Sequence, residues 1–139
     1  MVKFPGIPVI IATAKTVRTH QNLVETPPPE ESLPQFVCFK VCASEVTLAE
    51  FRQMVVENLQ DPNNFVLVNY LRKTIGQERG GHISPIAAYN SQSDRFLILD
   101  VSRYKYPPIW VRAEELWQAM GTIDSTSEKT RGFVVINRR

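Results

Sequence analysis

His82 and Asp100 carry the side chains in this chain that are best suited to do acid–base chemistry together. An imidazole changes charge near neutral pH, and a carboxylate bonded to one of its nitrogens holds the tautomer and supports the imidazolium. Such a base-plus-orienter pair activates a cysteine or serine nucleophile. Residues 82–89 read as a strand, 90–94 as a turn and 95–101 as a returning strand, which puts the pair on the two arms of a hairpin. Loop parity then decides whether they meet. A loop of three or five residues centred on Gln92 sets 84 opposite 100 and 82 opposite 102. His82 and Asp100 then share a face as diagonal neighbours about 7 Å apart. A loop of two or four residues sends them to opposite faces. The plainer alternative is a sheet histidine with a satisfied partner and an aspartate that ends its strand.

Cys38 and Cys42 are the other reactive side chains. In an extended stretch their Cα atoms lie about 13 Å apart, beyond disulfide reach. His20 and His82 are the only histidines, so there is no zinc-ligand spacing. Reduced thiols and a cytoplasmic setting are the expectation. Ala12-Thr13-Ala14 imitates a signal-peptidase site, but the uninterrupted apolar run before it, residues 9–12, is too short for a secretory leader. The apolar stretch 4–14 is broken by Pro5 and Pro8 and is too short to span a bilayer.

The elements that must position these residues follow from patterning. The chain has 139 residues, 43% of them hydrophobic, which suits one domain with an ordinary core. Sixteen Lys and Arg against fourteen Asp and Glu give +2, and no basic run is interleaved with aromatics. That balance excludes a nucleic-acid footprint. Residues 1–35 include Thr26-Pro27-Pro28-Pro29-Glu30-Glu31, which cannot join a sheet ladder and reads as a linker. Only 9–12 resembles a strand there. From Phe36 the pattern is regular. Val37, Phe39 and Val41 alternate with Cys38, Lys40 and Cys42. Thr47 and Glu50 form a capping box, and Leu48, Phe51, Met54, Val55 and Leu59 predict an amphipathic helix over 48–59. Residues 65–71 and 132–137 read as strands. Ala113, Leu116, Trp117 and Met120 mark a second helix closed by Gly121 as its C′ residue. Hairpin-joined strands without strict βαβ alternation predict an α+β fold with an antiparallel sheet.

Three strings in this region resemble the phytochelatin synthase family. They are Asn69-Tyr70-Leu71-Arg72, Gly80-Gly81-His82-Ile83-Ser84-Pro85, and Leu99-Asp100-Val101-Ser102-Arg103-Tyr104-Lys105-Tyr106-Pro107-Pro108-Ile109-Trp110. The likeness runs in register from about Phe36 to Ile136. It implies a papain-like fold in which a Cys-His-Asp triad attacks glutathione, glycine leaves, and a γ-glutamylcysteinyl thioester passes to a second glutathione or to water. The products are thiol peptides that chelate cadmium and similar soft metals. His82 matches the general base and Asp100 its orienter. Asp124 and Arg131 match positions that hold the γ-glutamyl group, one for the α-ammonium and one for the α-carboxylate. An exposed surface pair is the alternative for those two. Arg72 and Gly81 are also assigned to substrate contact by the resemblance.

The departure from the family is the nucleophile. The family carries it in a Cys-Gly-Val-Ala-type motif at a helix start, upstream of the histidine, where the dipole and an imidazolium lower a thiol's pKa. Residues 1–35 hold no cysteine, and Cys42 precedes the Thr47 cap by five residues. Both cysteines therefore read as structural thiols. The chain is expected to be the sheet half of the fold, residues 36–139, behind a divergent N-terminal segment 1–35. Its lack of a cysteine-rich C-terminal extension is similar to prokaryotic members, which tend to hydrolyse glutathione. No bound cofactor is expected; cadmium, zinc or copper would enter as metal–thiolate substrate or activator. The expected partners are glutathione and either a complementary cysteine-bearing chain or a second copy, because losing the helical half exposes an apolar face. The competing expectation is a truncated, non-catalytic module that at most binds glutathione.

Overall fold

The computed structural model describes residues 9–13, 35–78 and 80–138. The linker-like stretch 26–31 lies outside them. Nine strands and two α-helices are described: β1 (Val9–Thr13), β2 (Gln35–Cys42), α1 (Leu48–Leu59), β3 (Phe65–Leu71), β4 (Gly81–Asn90), β5 (Arg95–Ile98), β6 (Ile109–Arg112), α2 (Ala113–Met120), β7 (Ile123–Asp124), β8 (Lys129–Thr130) and β9 (Gly132–Arg138). Seven strands form one sheet in the order β1-β2-β9-β3-β4-β5-β6, and β7 and β8 form a separate two-stranded ribbon. Each strand pairing is antiparallel. The fold is therefore α+β, as the patterning predicts. Among the described residues no helix is long and apolar enough to cross a membrane.

Both helices cover one face of the sheet. Phe51, Met54 and Val55 of α1 and Leu116, Ala119 and Met120 of α2 join Val66, Val68, Tyr70, Phe96, Ile98 and Phe133 in a single core. Phe51 is at its centre, with its ring centroid 5.4 Å from that of Phe96 and 5.0 Å from that of Phe133. The capping box that starts α1 is formed in both directions. Thr47 N–H donates to Glu50 Oε2 at 2.7 Å, and Glu50 N–H donates to Thr47 Oγ1 at 3.3 Å. Gly121 differs from expectation. It is the C-cap of α2 with a right-handed φ of −67°, its N–H donating to Trp117 O, rather than a left-handed residue beyond the helix. Thr122 takes over the termination by donating its hydroxyl to Ala119 O at 2.8 Å.

The opposite face of the sheet is apolar and carries no helix among the described residues. Phe65, Ile83, Leu99 and Trp110 point there, and Ile83 is 55% exposed. Phe65 and Ile83 alternate along their strands with buried neighbours, so a side chain every second residue reaches this face.

The hairpin that carries His82 reaches its geometry by a different route from the one the sequence suggests. Asn90 pairs with Arg95 and Ala88 with Leu97, across a loop of four residues, 91–94. An even loop alone would put His82 and Asp100 on opposite faces. The register then shifts between Ala88 and Ile86, and Ile86 pairs with Ile98. One extra residue, Ala87, is thus inserted in β4 as a bulge, which restores the pairing of an odd loop. Leu99 N–H donates to Pro85 O at 3.0 Å, so the shifted register continues toward Asp100.

Candidate functional site

Three short segments converge at the end of the β3–β4–β5 sheet. After β3 the chain turns through a 3-10 helix, Arg72–Ile75, that ends on Gly76 in the left-handed region at φ 79°. His82 is the second residue of β4, opposite Tyr70, and Asp100 lies two residues past the end of β5. His82 Nε2 is 3.0 Å from Asp100 Oδ1, so the structure brings the two predicted residues together. The nitrogen is off the line that a hydrogen bond requires and remains buried without a hydrogen-bonded partner. The imidazole side chain is 20% exposed, whereas the carboxylate is fully buried.

A buried carboxylate needs compensation. Asp100 Oδ1 accepts the Ser102 N–H at 2.8 Å, and Oδ2 accepts Arg72 Nη1 at 2.5 Å and the Tyr70 hydroxyl at 3.5 Å. Burial pushes the Asp100 carboxyl up, but the Arg72 guanidinium, the Ser102 N–H and the nearby His82 outweigh it and hold the carboxyl below its usual range. Asp100 is therefore an anion at neutral pH in spite of its burial. Tyr70 is itself buried, and its hydroxyl also lies 3.3 Å from Ser84 Oγ. Burial raises the Tyr70 phenol, which stays neutral and keeps a proton to donate. The Tyr70 ring meets His82 edge to face at 6.1 Å and limits how the imidazole tilts.

Arg72 is buried beneath this pair and does not line the cleft beside it. Its guanidinium also donates to Gln77 Oε1 at 3.0 Å and lies 4.0 Å from the centroid of the Tyr106 ring. Lys105 Nζ and Glu78 Oε2, 2.5 Å apart, clamp the loop after Asp100 to the turn after Arg72.

The cleft, about 540 Å³ and open to one side, is lined by Asn69, Gly81, His82, Ile83, Asp124, Ser125, Thr126 and Arg131. The β7–β8 ribbon folds Asp124 back toward Arg131, leaving Oδ2 3.8 Å from Nη1. Arg131 is fixed by two further acceptors, Thr122 Oγ1 at 3.1 Å from Nε and Asn69 Oδ1 at 3.2 Å from Nη1. Gly81 is there because of Arg131: a Cβ at that position would come within 2.8 Å of the guanidinium carbon. The cleft thus presents a cation, a carboxylate and an imidazole side by side. That set matches the two ends of an α-amino acid group plus a base.

The sequence placed Asn69 and Tyr70 in a family-like string without giving either a role, and gave none to Gln77. Asn69 had a signal, being the one amide in the otherwise apolar run 66–71. Cys38 pairs with Ile136 and Cys42 with Gly132, both as free thiols, and neither lines the cleft. Among the described residues no three His, Cys, Asp or Glu side chains cluster as a metal site would need.

The phytochelatin synthase family model matches residues 14–133. The chain belongs to the phytochelatin synthase family. It is 40% identical over 116 residues to glutathione gamma-glutamylcysteinyltransferase 1 of Arabidopsis thaliana, covering 77% of this chain and 24% of that protein. It is 42% identical over 95 residues to glutathione gamma-glutamylcysteinyltransferase 2 of the same plant, covering 68% of this chain and 21% of the relative. The glutathione gamma-glutamylcysteinyltransferase of Schizosaccharomyces pombe is 35% identical over 95 residues, 68% of this chain and 23% of the relative. This family member therefore spans about a quarter of the length of the curated relatives it matches, and the matched stretch holds every residue of the cleft.

Proposed function

We propose that this chain supplies the base, the orienter and the γ-glutamyl pocket of a glutathione γ-glutamylcysteinyltransferase built on a papain-like plan. The observation that supports this most is the placement of His82 against a buried, ionised Asp100 at the rim of the cleft that holds Arg131 and Asp124. In the reaction a thiolate attacks the carbonyl carbon of the cysteinyl–glycine bond of glutathione. The C–N bond breaks, glycine leaves as an amine that takes the proton from the His82 imidazolium, and a thioester remains. His82 then removes a proton from a second glutathione amine or from water, which bonds to the acyl carbon as its C–S bond breaks, restoring the thiolate and the imidazolium. Asp100 holds the imidazole and balances its positive charge. Arg131 pairs with the γ-glutamyl α-carboxylate and Asp124 with its α-ammonium, the two side chains lying next to each other with Oδ2 3.8 Å from Nη1. Gly81 gives the substrate backbone access past the guanidinium. Soft metals enter as their glutathione thiolates, as substrate rather than as a resident group.

The nucleophilic thiol comes from outside this sequence, since Cys38 and Cys42 both lie in β2 and neither lines the cleft. The apolar face bearing Ile83, Leu99 and Trp110, which no helix covers among the described residues, is the surface against which a nucleophile-bearing helical half would pack; a second copy of this chain is the alternative occupant.

The test is glycine release from glutathione by the purified chain, alone and with a cysteine-bearing helical half from a family member, with and without cadmium. Release only in the mixture, abolished by His82→Ala, is expected. Absence of release in the mixture, with the complex demonstrably formed, rejects the catalytic reading. Calorimetric binding of glutathione that depends on Arg131 but comes without turnover would leave a binding module.

A further inference from the structure

We infer that Arg72 is a positioning residue that sets the basicity of His82 through the carboxylate the two side chains share. The inference rests on the proposed role of His82 as the base, and extends it to a residue that does not line the cleft. Asp100 divides its oxygens. Oδ2 is taken by Arg72 Nη1 at 2.5 Å, and Oδ1, which also accepts the Ser102 N–H at 2.8 Å, faces His82 Nε2 at 3.0 Å. Both partners lie in a region shut off from water, with Arg72 7% exposed and the carboxylate fully covered.

A lone buried carboxylate beside an imidazole favours the imidazolium strongly, commonly by one to three pH units, roughly. An imidazole held permanently protonated cannot accept a proton, which is what a general base must do. Arg72 counters this because its fixed positive charge draws on the same carboxylate. The other charged groups near His82 do not replace it. On β3 the neighbour is Tyr70, whose phenol stays neutral. Arg131 and Asp124 on the cleft side offset each other, and so do Lys105 and Glu78 in the flanking loops. The side chains of α2 buried near the 3-10 turn are apolar. Arg72 is in turn held on three sides by Asp100, Gln77 and the Tyr106 ring, which fixes the direction of its charge.

The experiment is NMR titration of the imidazole Cε1–H signals of the isolated chain; His82 is told apart from His20 by His20→Gln. Arg72→Gln removes the charge and keeps a donor for Asp100, and it should raise the His82 midpoint by about one pH unit, a tenfold change in proton affinity. Arg72→Lys keeps the charge and should return the midpoint to within a few tenths of wild type. An unchanged or lowered midpoint in folded Arg72→Gln overturns the inference, as does an equal rise in Arg72→Lys. Should Arg72→Gln not fold, the wild-type guanidinium decides. Resolved, slowly exchanging Nη signals for Arg72 that merge when Asp100 is protonated support the shared carboxylate, and a freely rotating guanidinium at neutral pH overturns it. None of these readouts needs glutathione or a nucleophile, so failure of the transfer reaction leaves them intact.

Discussion

Replacing Asp100 by Asn should be the most costly single change at the site, because it strands a buried cation. The Asp100 side chain is fully buried and that of Arg72 is 7% exposed, with Nη1 2.5 Å from Oδ2. Removing one partner of such a pair costs roughly 3–5 kcal/mol, mainly through the uncompensated charge left behind. A domain has about 5–15 kcal/mol of stability in all, so Asp100→Asn should remove a large part of it. Gln77 and the Tyr106 ring remain to Arg72, which places the expected loss toward the lower end of that range. The assay is urea unfolding followed by tryptophan fluorescence, run as a cycle with Arg72→Met and the double variant. Removing both charges should recover at least half of the loss, since nothing charged is then buried unpaired. The reasoning is refuted by a cost below about 1 kcal/mol for Asp100→Asn, the value of an ordinary exposed ion pair. It is equally refuted by a double variant whose loss is the sum of the two single losses.

Three further outcomes follow from the same geometry. Because the Asp100 carboxyl titrates below its unfolded value, its contribution to stability should be complete above about pH 4 and disappear as pH falls through the lower folded value; urea midpoints measured from pH 6 to pH 2 will read this. Gly81→Ala should push the Arg131 guanidinium aside without unfolding the chain, since the clash is with the end of a flexible side chain, and calorimetry should find glutathione binding weakened about tenfold or more. The isolated chain should self-associate through the face bearing the exposed Ile83 and Trp110, and Ile83→Lys with Trp110→Lys should return it to a monomer in sedimentation; a monodisperse wild type at high concentration contradicts this.

Much of the fold was legible because its signals are short-range. The capping box of Thr47 and Glu50 spans a single turn, and the helical spacing of Phe51, Met54 and Val55 needs only the period of α1. Strand β6 was missed, because four residues behind Pro107 and Pro108 are too few to display a period. The bulge had a faint signal in Pro85, which lacks an N–H to donate in a strand paired on both sides, and prolines in sheets gather at edges and bulges.

The sequence by itself determined the family, the α+β class, the helix boundaries near Thr47 and Leu59, and the choice of His82 and Asp100 as the candidate pair. These rest on residue types and on periods read within a dozen residues. Only the tertiary structure decided the rest. A four-residue loop and one bulged residue jointly set the parity that lets His82 meet Asp100, and neither is visible from strand composition. Asn69 reaches Arg131 across 62 residues, and Arg72 reaches Asp100 across 28. Arg72 reads in sequence as one more cation for the substrate, but the 3-10 turn after β3 directs it beneath the carboxylate. Burial and the sharing of one anion by two cations depend on the packing of distant segments, so local pattern cannot report them.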